Sequence, residues 1–453
     1  MATIHLSEMW CPAGWVRDHT LAHLDGVIAS VAPTPANAPE AAVRRIALPG
    51  LTSLHSHAFQ RGMAGLAEVR GPGPESFWTW RDVMYKFLDR LTPEDVRAIA
   101  AQAYAEMVER GFTSVVEFHY LHHDTGGQPY ANRAAMAEAL AEAARETGID
   151  FTLLPTLYRF GGFGGAAPGH GQRRFLNSID GFEALLSASA TAIASVPDAK
   201  LGVALHSLRA VSPGDIHHVA NLLPGAPIHI HAAEQEKEVA DCLAWSQQRP
   251  VRWLLDHAHL DQRWCLIHAT HMDAAEVRDL ASSGAVAGLC PITEANLGDG
   301  IFPGVSYLEA GGRFGVGTDS NVLISASEEL RTLEYSQRLR DRQRVRLATP
   351  GQSTGERLWR EALAGGAQAS GRTTGALCAG SRANWLVLDH DHAALCGAGV
   401  NSIIDRALFA TPTLPIKETW IAGRRVAADG RHIHRDAIRT RFTKVMQKLS
   451  ANM

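Results

Sequence analysis

Three features of the sequence predict an α/β protein, a (β/α)8 TIM-like barrel with a small β-sandwich domain built from the N- and C-terminal segments. Eight short apolar runs alternate with helical stretches across residues 49–372. Strand-like runs separated by turn signals flank that region on both sides. Histidines and an aspartate recur at the C-terminal ends of the apolar runs, the end at which a barrel gathers its functional loops.

The elements follow in order. Residues 1–48 read as short strands, with Ile4-His5-Leu6, a run at 21–24, an Asp25-Gly26 turn, a run at 27–31 and a Pro/Ala-rich connector at 33–39. The first barrel strand, bounded by Pro49 and Gly50, ends at His55 and His57. Side chains two apart on a strand share a face, so these two imidazoles project together. A long aromatic segment follows, with Gly71-Pro72-Gly73-Pro74, Trp78, Trp80, Arg81 and Tyr85. A strand that feeds such a segment is a natural site wall.

From Thr92-Pro93, a cap with proline in the first turn, a helix runs to Gly111. Strands are expected at 112–118, 150–158, 201–206, 227–231, 265–268, 285–290 and 314–318. Helices are expected at 132–148, 180–196, 213–223 and 236–247, and near 274–282 and 305–311. With the strand at His55 this makes eight apolar strands, each followed by a crossover, which argues for a parallel sheet closed into a barrel. Runs at 373–389 and 416–434 return to strand patterning. The expected domains are therefore 1–48 with 373–435, 49–372, and a basic, exposed helical tail at 436–453.

Composition narrows the function. The chain has 453 residues, 46% hydrophobic and 20% charged, enough for a large core, and a net charge of -4. That balance gives no electrostatic case for nucleic acid or an anionic membrane, so the expected partner is a small molecule. Six cysteines, at 11, 242, 265, 290, 378 and 396, form no Cys-x-x-Cys pair. Reduced thiols in a cytoplasmic protein are the natural reading. The N-terminus lacks a signal pattern, and no apolar run approaches membrane length. The long helices and the terminal segment permit a homodimer.

The strand ends carry the chemistry. His231 ends Ile228-His229-Ile230-His231, His268 ends Cys265-Leu266-Ile267-His268, and Asp319 ends Val316-Gly317-Thr318-Asp319. One such histidine suits a core hydrogen bond; four histidines and an aspartate on four strand ends point to a metal site. Three imidazoles and a carboxylate suit a borderline divalent ion such as zinc, with iron(II) or manganese as alternatives. Zinc so held lowers the pKa of bound water to about 7. Glu234, three residues past His231, sits where a carboxyl group can shuttle a proton, and equally where an acid favours a helix N-terminus. His268 is either a ligand or a second base.

These residues resemble the amidohydrolase superfamily of metal-dependent hydrolases, within it the branch of deaminases and deiminases. The resemblance covers the whole chain through Leu-Pro-Gly-Leu-Thr-Ser-Leu-His55-Ser-His57, His231-Ala-Ala-Glu234, Ile267-His268 and Gly-Thr-Asp319-Ser. It implies one metal ion held by His55, His57, His231 and Asp319, with Glu234, His268 and Asp319 handling protons. Members with two metals usually add a carboxylated lysine. Here the lysines between His57 and His231 are Lys86 and Lys200, neither in a convincing strand, while Glu117 stays open as a bridging ligand.

A narrower resemblance is to deiminases that hydrolyse N-formimidoyl-L-glutamate to N-formyl-L-glutamate and ammonia. It rests on His57-Ala-Phe-Gln60-Arg-Gly, Phe77-Trp-Thr-Trp-Arg81, Glu117-Phe-His-Tyr120 and His206-Ser-Leu-Arg209. It implies that Gln60, Arg81, Tyr120, His206 and Arg209 hold the glutamate part of the substrate. Arginine suits that task, because its fork pairs with carboxylates in bidentate fashion. The alternatives are a deaminase of guanine or an adenosine derivative, and a non-catalytic barrel scaffold.

Other signals read as structural. The run 160–171, rich in glycine, opens no helix and suits a mobile lid better than a phosphate cradle. His122 and His123 read as loop residues near the site, and His217 and His218 as a solvated helix face. The arginine-rich run 338–346 reads as an exposed helix.

Overall fold

The computed structural model describes residues 1–35, 44–73 and 75–451. The connector expected at 33–39 and the Gly-Pro run at 71–74 therefore lie partly outside the described residues, as does the end of the tail at 452–453. The first strands are β1 (Ala2–Cys11), β2 (Gly14–Leu24), β3 (Val27–Pro33) and β4 (Ile46–Pro49). The barrel region contributes β5 (Leu51–Ser56), β6 (Phe112–His119), β7 (Asp150–Leu157), β8 (Lys200–Leu201), β9 (Val203–Ser207), β10 (Ile228–Ala232), β11 (Trp264–His268), β12 (Val286–Leu289) and β13 (Arg313–Val316). The last are β14 (Trp385–Leu388), β15 (Ile416–Ile421), β16 (Arg424–Ala428) and β17 (Arg431–His432).

Eight parallel strands run in the order β5-β6-β7-β9-β10-β11-β12-β13, with the two-residue β8 beside β7. Every residue of β6 and β7 is buried, as a parallel sheet covered on both faces requires. Helices between the strands start where the sequence places caps. Thr92 and Asp95 form a capping box ahead of Pro93–Glu109, and Asp273 and Glu276 do the same for Ala274–Ser282. Gly148, in the left-handed region, stops Ala135–Thr147.

The ends of the barrel meet through two backbone hydrogen bonds. His57 N–H donates to Asp319 O at 2.9 Å, and Asp319 N–H donates to His55 O at 3.0 Å. Gly317 makes this approach feasible. A Cβ there would lie 2.7 Å from both the nitrogen and the oxygen of His55.

The N- and C-terminal segments form a separate mixed sheet in the order β17-β16-β15-β14-β4-β1-β2-β3. Only β1 and β4 pair in parallel. A bridge between Val27 and Arg382 curls this sheet over a core that includes Leu6, Leu21, Ile28 and Trp385. Trp385 stacks on Trp420 at 5.1 Å. Since β4 leads through Gly50 straight into β5, the sheet and the first histidine-bearing strand share one stretch of chain. Asp150, at the start of β7, ties the two parts by accepting from Arg382 at 2.8 Å and Asn384 at 2.8 Å.

Two peripheral readings change. The tail helix Arg435–Ser450 is not simply exposed. It buries Ile438 and Leu449 and places Lys448 Nζ 2.7 Å from Asp95 on helix Pro93–Glu109, because its apolar positions need a partner surface. The arginine-rich run is helical only to Asp341, where Ala326–Asp341 ends at Arg342 with φ +54°. Its charges are balanced locally, with Arg338 2.6 Å from Glu334 and Arg340 and Arg346 each 2.7 Å from Asp341.

Replacing Gly317 by Ala should push β13 away from His55 and cost about 1–3 kcal/mol of stability, as overpacking a rigid site does. Thermal unfolding and metal analysis of the purified variant check this. Unaltered stability together with unaltered metal content would contradict the tight closure.

Candidate active site

The C-terminal ends of β5, β10 and β13 bring the expected ligands together. His55 Nε2 lies 3.2 Å from His57 Nε2 and 3.1 Å from His231 Nε2. Asp319 Oδ1 lies 3.4 Å from Nε2 of both His55 and His57. Ligands placed tetrahedrally around zinc at its usual bond lengths are about 3.3 Å apart, so the donors present fit one small divalent ion.

The second ring nitrogens support this. His57 Nδ1 is 3.0 Å from Phe118 O, and His231 Nδ1 is 2.8 Å from His206 O. A carbonyl partner requires N–H at Nδ1 and leaves Nε2 with its lone pair facing the centre. Burial lowers the pKa values of His55, His57 and His231, with the neighbouring histidines adding to the effect. The direction of these shifts favours the neutral form that ligation needs, although Asp319 acts against it at His57.

His268 stands beside this cluster. Its Nδ1 is 3.3 Å from Glu294 Oε1, and its Nε2 is 3.8 Å from Glu234 Oε1 and 3.9 Å from Asp319 Oδ2. Asp319 therefore turns one oxygen to the histidine cluster and the other to His268. Burial alone would lower the His268 pKa, but Glu234, Glu294 and Asp319 together raise it to about 10. Burial pushes Glu234 upward, against the pull of His268 and Arg209.

A cleft opens above the cluster. His57, His231, Glu234, His268 and Asp319 line it, together with Gln60, Arg81, Tyr120, His206 and Arg209. All five expected substrate-binding residues thus reach the cleft. Gln60 follows His57 on the turn Ala58–Met63 and donates to Tyr120 Oη at 3.0 Å. Arg81 comes from helix Phe77–Leu88, started by the Ser76–Thr79 capping box, and lies over Trp78 at 4.6 Å. Gln60 Oε1, Arg81 Nε and Arg209 Nε are buried without a hydrogen-bond partner among the described residues. An unpaired buried group costs about 1–3 kcal/mol, so these atoms are poised for a polar ligand.

Residues left open or discounted above find structural places. Lys86 lies on helix Phe77–Leu88 and Lys200 on β8. Glu117 turns Oε1 to the Ala58 N–H at 2.6 Å, and burial raises its pKa to about 8. His122 and His123 are buried against the carbonyls of Thr156 and Leu176. The glycine-rich run forms two short turns, Phe163–Gly165 and His170–Gln172, and Gln172 donates to the cleft residue Tyr158 at 2.6 Å.

The sequence reading missed Glu294 and Asn321. Glu294 follows β12 and accepts the Cys290 N–H at 2.9 Å as well as facing His268. Asn321 donates to His57 O at 3.1 Å and Asp319 O at 3.0 Å, clamping the two ligand-bearing strand ends. Each sits a few residues beyond a strand end, which was the available signal. Ala233, His268, Ala269, Asp319 and Asn321 all have positive φ; such local strain gathers at functional sites.

Comparisons with known proteins agree with this geometry. The model of the amidohydrolase family matches residues 46–426. The formimidoylglutamate deiminase of Pseudomonas aeruginosa is 47% identical, covering 99% of this chain and all of that protein. The crystal structure of an amidohydrolase from Brucella melitensis superposes with a TM-score of 0.95 at 47% identity, over 99% of this chain and 100% of that one. An adenosine deaminase from Xanthomonas campestris, solved with bound zinc, shares the fold at a TM-score of 0.80 and 21% identity, over 99% of this chain and 98% of that one. A family model spanning the histidine-bearing strands, together with full-length similarity, gives the conclusion: this chain belongs to the amidohydrolase family.

Proposed function

We propose that the protein is a formimidoylglutamate deiminase, hydrolysing N-formimidoyl-L-glutamate to N-formyl-L-glutamate and ammonia in cytoplasmic histidine degradation. The observation that carries this reading is the pair of guanidinium groups, Arg81 and Arg209, lining the same cleft as the histidine cluster. A substrate with two carboxylates needs such charge-paired donors, whereas a purine would draw on stacking and amide contacts. The full-length similarity to a protein of that name supports it.

In this reading His55, His57, His231 and Asp319 hold one divalent ion, zinc. When bound, the metal supplies a water activated for attack at neutral pH. Arg81, Arg209, Gln60, Tyr120 and His206 hold the glutamate part, so that the formimidoyl carbon faces the attacking water. Asp319 Oδ2 takes up a proton as water adds to that carbon, with His268 Nε2, 3.9 Å away, holding that carboxylate in place. Glu234, 3.8 Å from His268, gives one proton to the imino nitrogen as water adds and then carries the hydroxyl proton of the adduct to the same nitrogen as the C–N bond breaks; ammonia leaves, and the proton held by Asp319 restores Glu234.

Three measurements test the reading. Ammonia release from N-formimidoyl-L-glutamate should greatly exceed release from guanine, adenosine or N-formimidoylglycine; deamination of a heterocycle alone would refute the substrate. Glu234→Gln should lower kcat by about 10²–10⁴-fold with metal content unchanged, since the loss of a general acid has that scale. Arg209→Met should raise KM about 10–100-fold, the scale of a charge-assisted contact, and an unchanged KM would remove it from carboxylate binding.

A further inference from the structure

We infer that Glu238 is a positioning residue that couples the proton-transferring carboxyl of Glu234 to the substrate-binding guanidinium of Arg209. The inference rests on the roles proposed above for those two residues. Glu238 lies in the first turn of helix Glu236–Ser246, where a carboxylate is favoured by the helix dipole. That alone would leave it facing solvent, yet its relative exposure is 0%.

Both of its oxygens are directed at the loop that carries Glu234. Oε1 accepts the Ala233 N–H at 3.1 Å, and Oε2 accepts the Glu234 N–H at 3.3 Å. Ala233 has φ +51°, a left-handed conformation that costs a non-glycine residue about 1–2 kcal/mol. The turn from His231 to Glu234 therefore needs an external clamp. Two N–H groups held on two different oxygens require a carboxylate, because a glutamine side chain has one acceptor oxygen.

The same carboxylate faces Arg209. Its Oε2 lies 3.8 Å from Arg209 Nη2, and Glu234 Oε2 lies 4.0 Å from that nitrogen. The guanidinium also lies 5.9 Å from the Trp78 ring. Arg209 thus faces two carboxylates, of which only Glu234 is required for proton transfer. One side chain, Glu238, thus holds the Glu234 backbone and faces the guanidinium, so substrate binding and proton transfer share one anchor.

The test is a double-mutant cycle of Glu238→Gln and Arg209→Met, read as kcat and KM separately. In the Glu238→Gln protein we expect KM to rise about tenfold and kcat to fall about tenfold, the scale of one lost charge-assisted contact on each side. Metal content and circular dichroism should stay as in the unaltered protein, and Glu238→Asp, which keeps both acceptors, should recover part of kcat. In the Arg209→Met background the KM effect of Glu238→Gln should vanish while the kcat effect persists. An unchanged kcat in Glu238→Gln, or KM effects that multiply independently in the double variant, would overturn the inference. If Glu238→Gln fails to fold, the same cycle is read with Glu238→Asp, for which a smaller KM effect confined to the Arg209 background is expected and independent effects overturn the inference. If the unaltered protein leaves N-formimidoyl-L-glutamate untouched, the substrate reading falls. The cycle is then read on the binding of glutarate, where weakening by Glu238→Gln only when Arg209 is present upholds the coupling and weakening in both backgrounds overturns it.

Discussion

The backbone contact between the ends of β5 and β13 is the constraint on which the site depends. His55 and His57 lie near the start of the barrel and Asp319 near its end, and two hydrogen bonds of 2.9 and 3.0 Å join them. Without that closure the carboxylate would have no reason to stand 3.4 Å from two imidazoles. Gly317 permits the approach by leaving no Cβ against His55, and Asn321 locks it from above with hydrogen bonds to both strands. The histidine–aspartate cluster and the closure of the barrel therefore share the same stretch of backbone. A disturbance of either strand end reaches the other through the backbone.

Around this closure, the polar groups form layers with distinct tasks. Of the innermost donors, His57 and His231 are oriented by backbone carbonyls. Beside them, Glu234, His268 and Glu294 form a buried chain in which burial and opposing charges act against each other. Farther out, Arg209 faces two carboxylates and Arg81 lies over the Trp78 ring. Buried charges are tolerated only when paired or awaiting a partner. The unpaired Nε atoms of Arg81 and Arg209 thus mark where an anionic substrate would complete the site.

The second sheet has a supporting part. Its strand β4 continues directly into β5, so movement of that sheet would be felt at His55. Asp150 anchors the connection from the other end of the barrel by holding Arg382 and Asn384. The tail helix adds a further brace through Lys448 and Asp95. These contacts hold the second sheet and the tail helix to the barrel.

Much of this was legible in the sequence because periodicity and position are local properties. The eight apolar runs, their capped helices and the histidines at strand ends are written within windows of about ten residues. Once a barrel is inferred, its geometry sends all those ends to one face. The sequence alone therefore determined the barrel, the two-ended second sheet and the candidate ligand set. Tertiary structure decided what depends on contacts between distant segments. It placed His268 beside the histidine cluster through Glu294, gave Glu117 a backbone partner at Ala58, buried one face of the tail helix and set Glu238 between Glu234 and Arg209. Each depends on which groups share a few ångströms of low-dielectric space, where a single hydrogen bond or charge chooses the orientation of a side chain, and no local pattern in the chain encodes that choice.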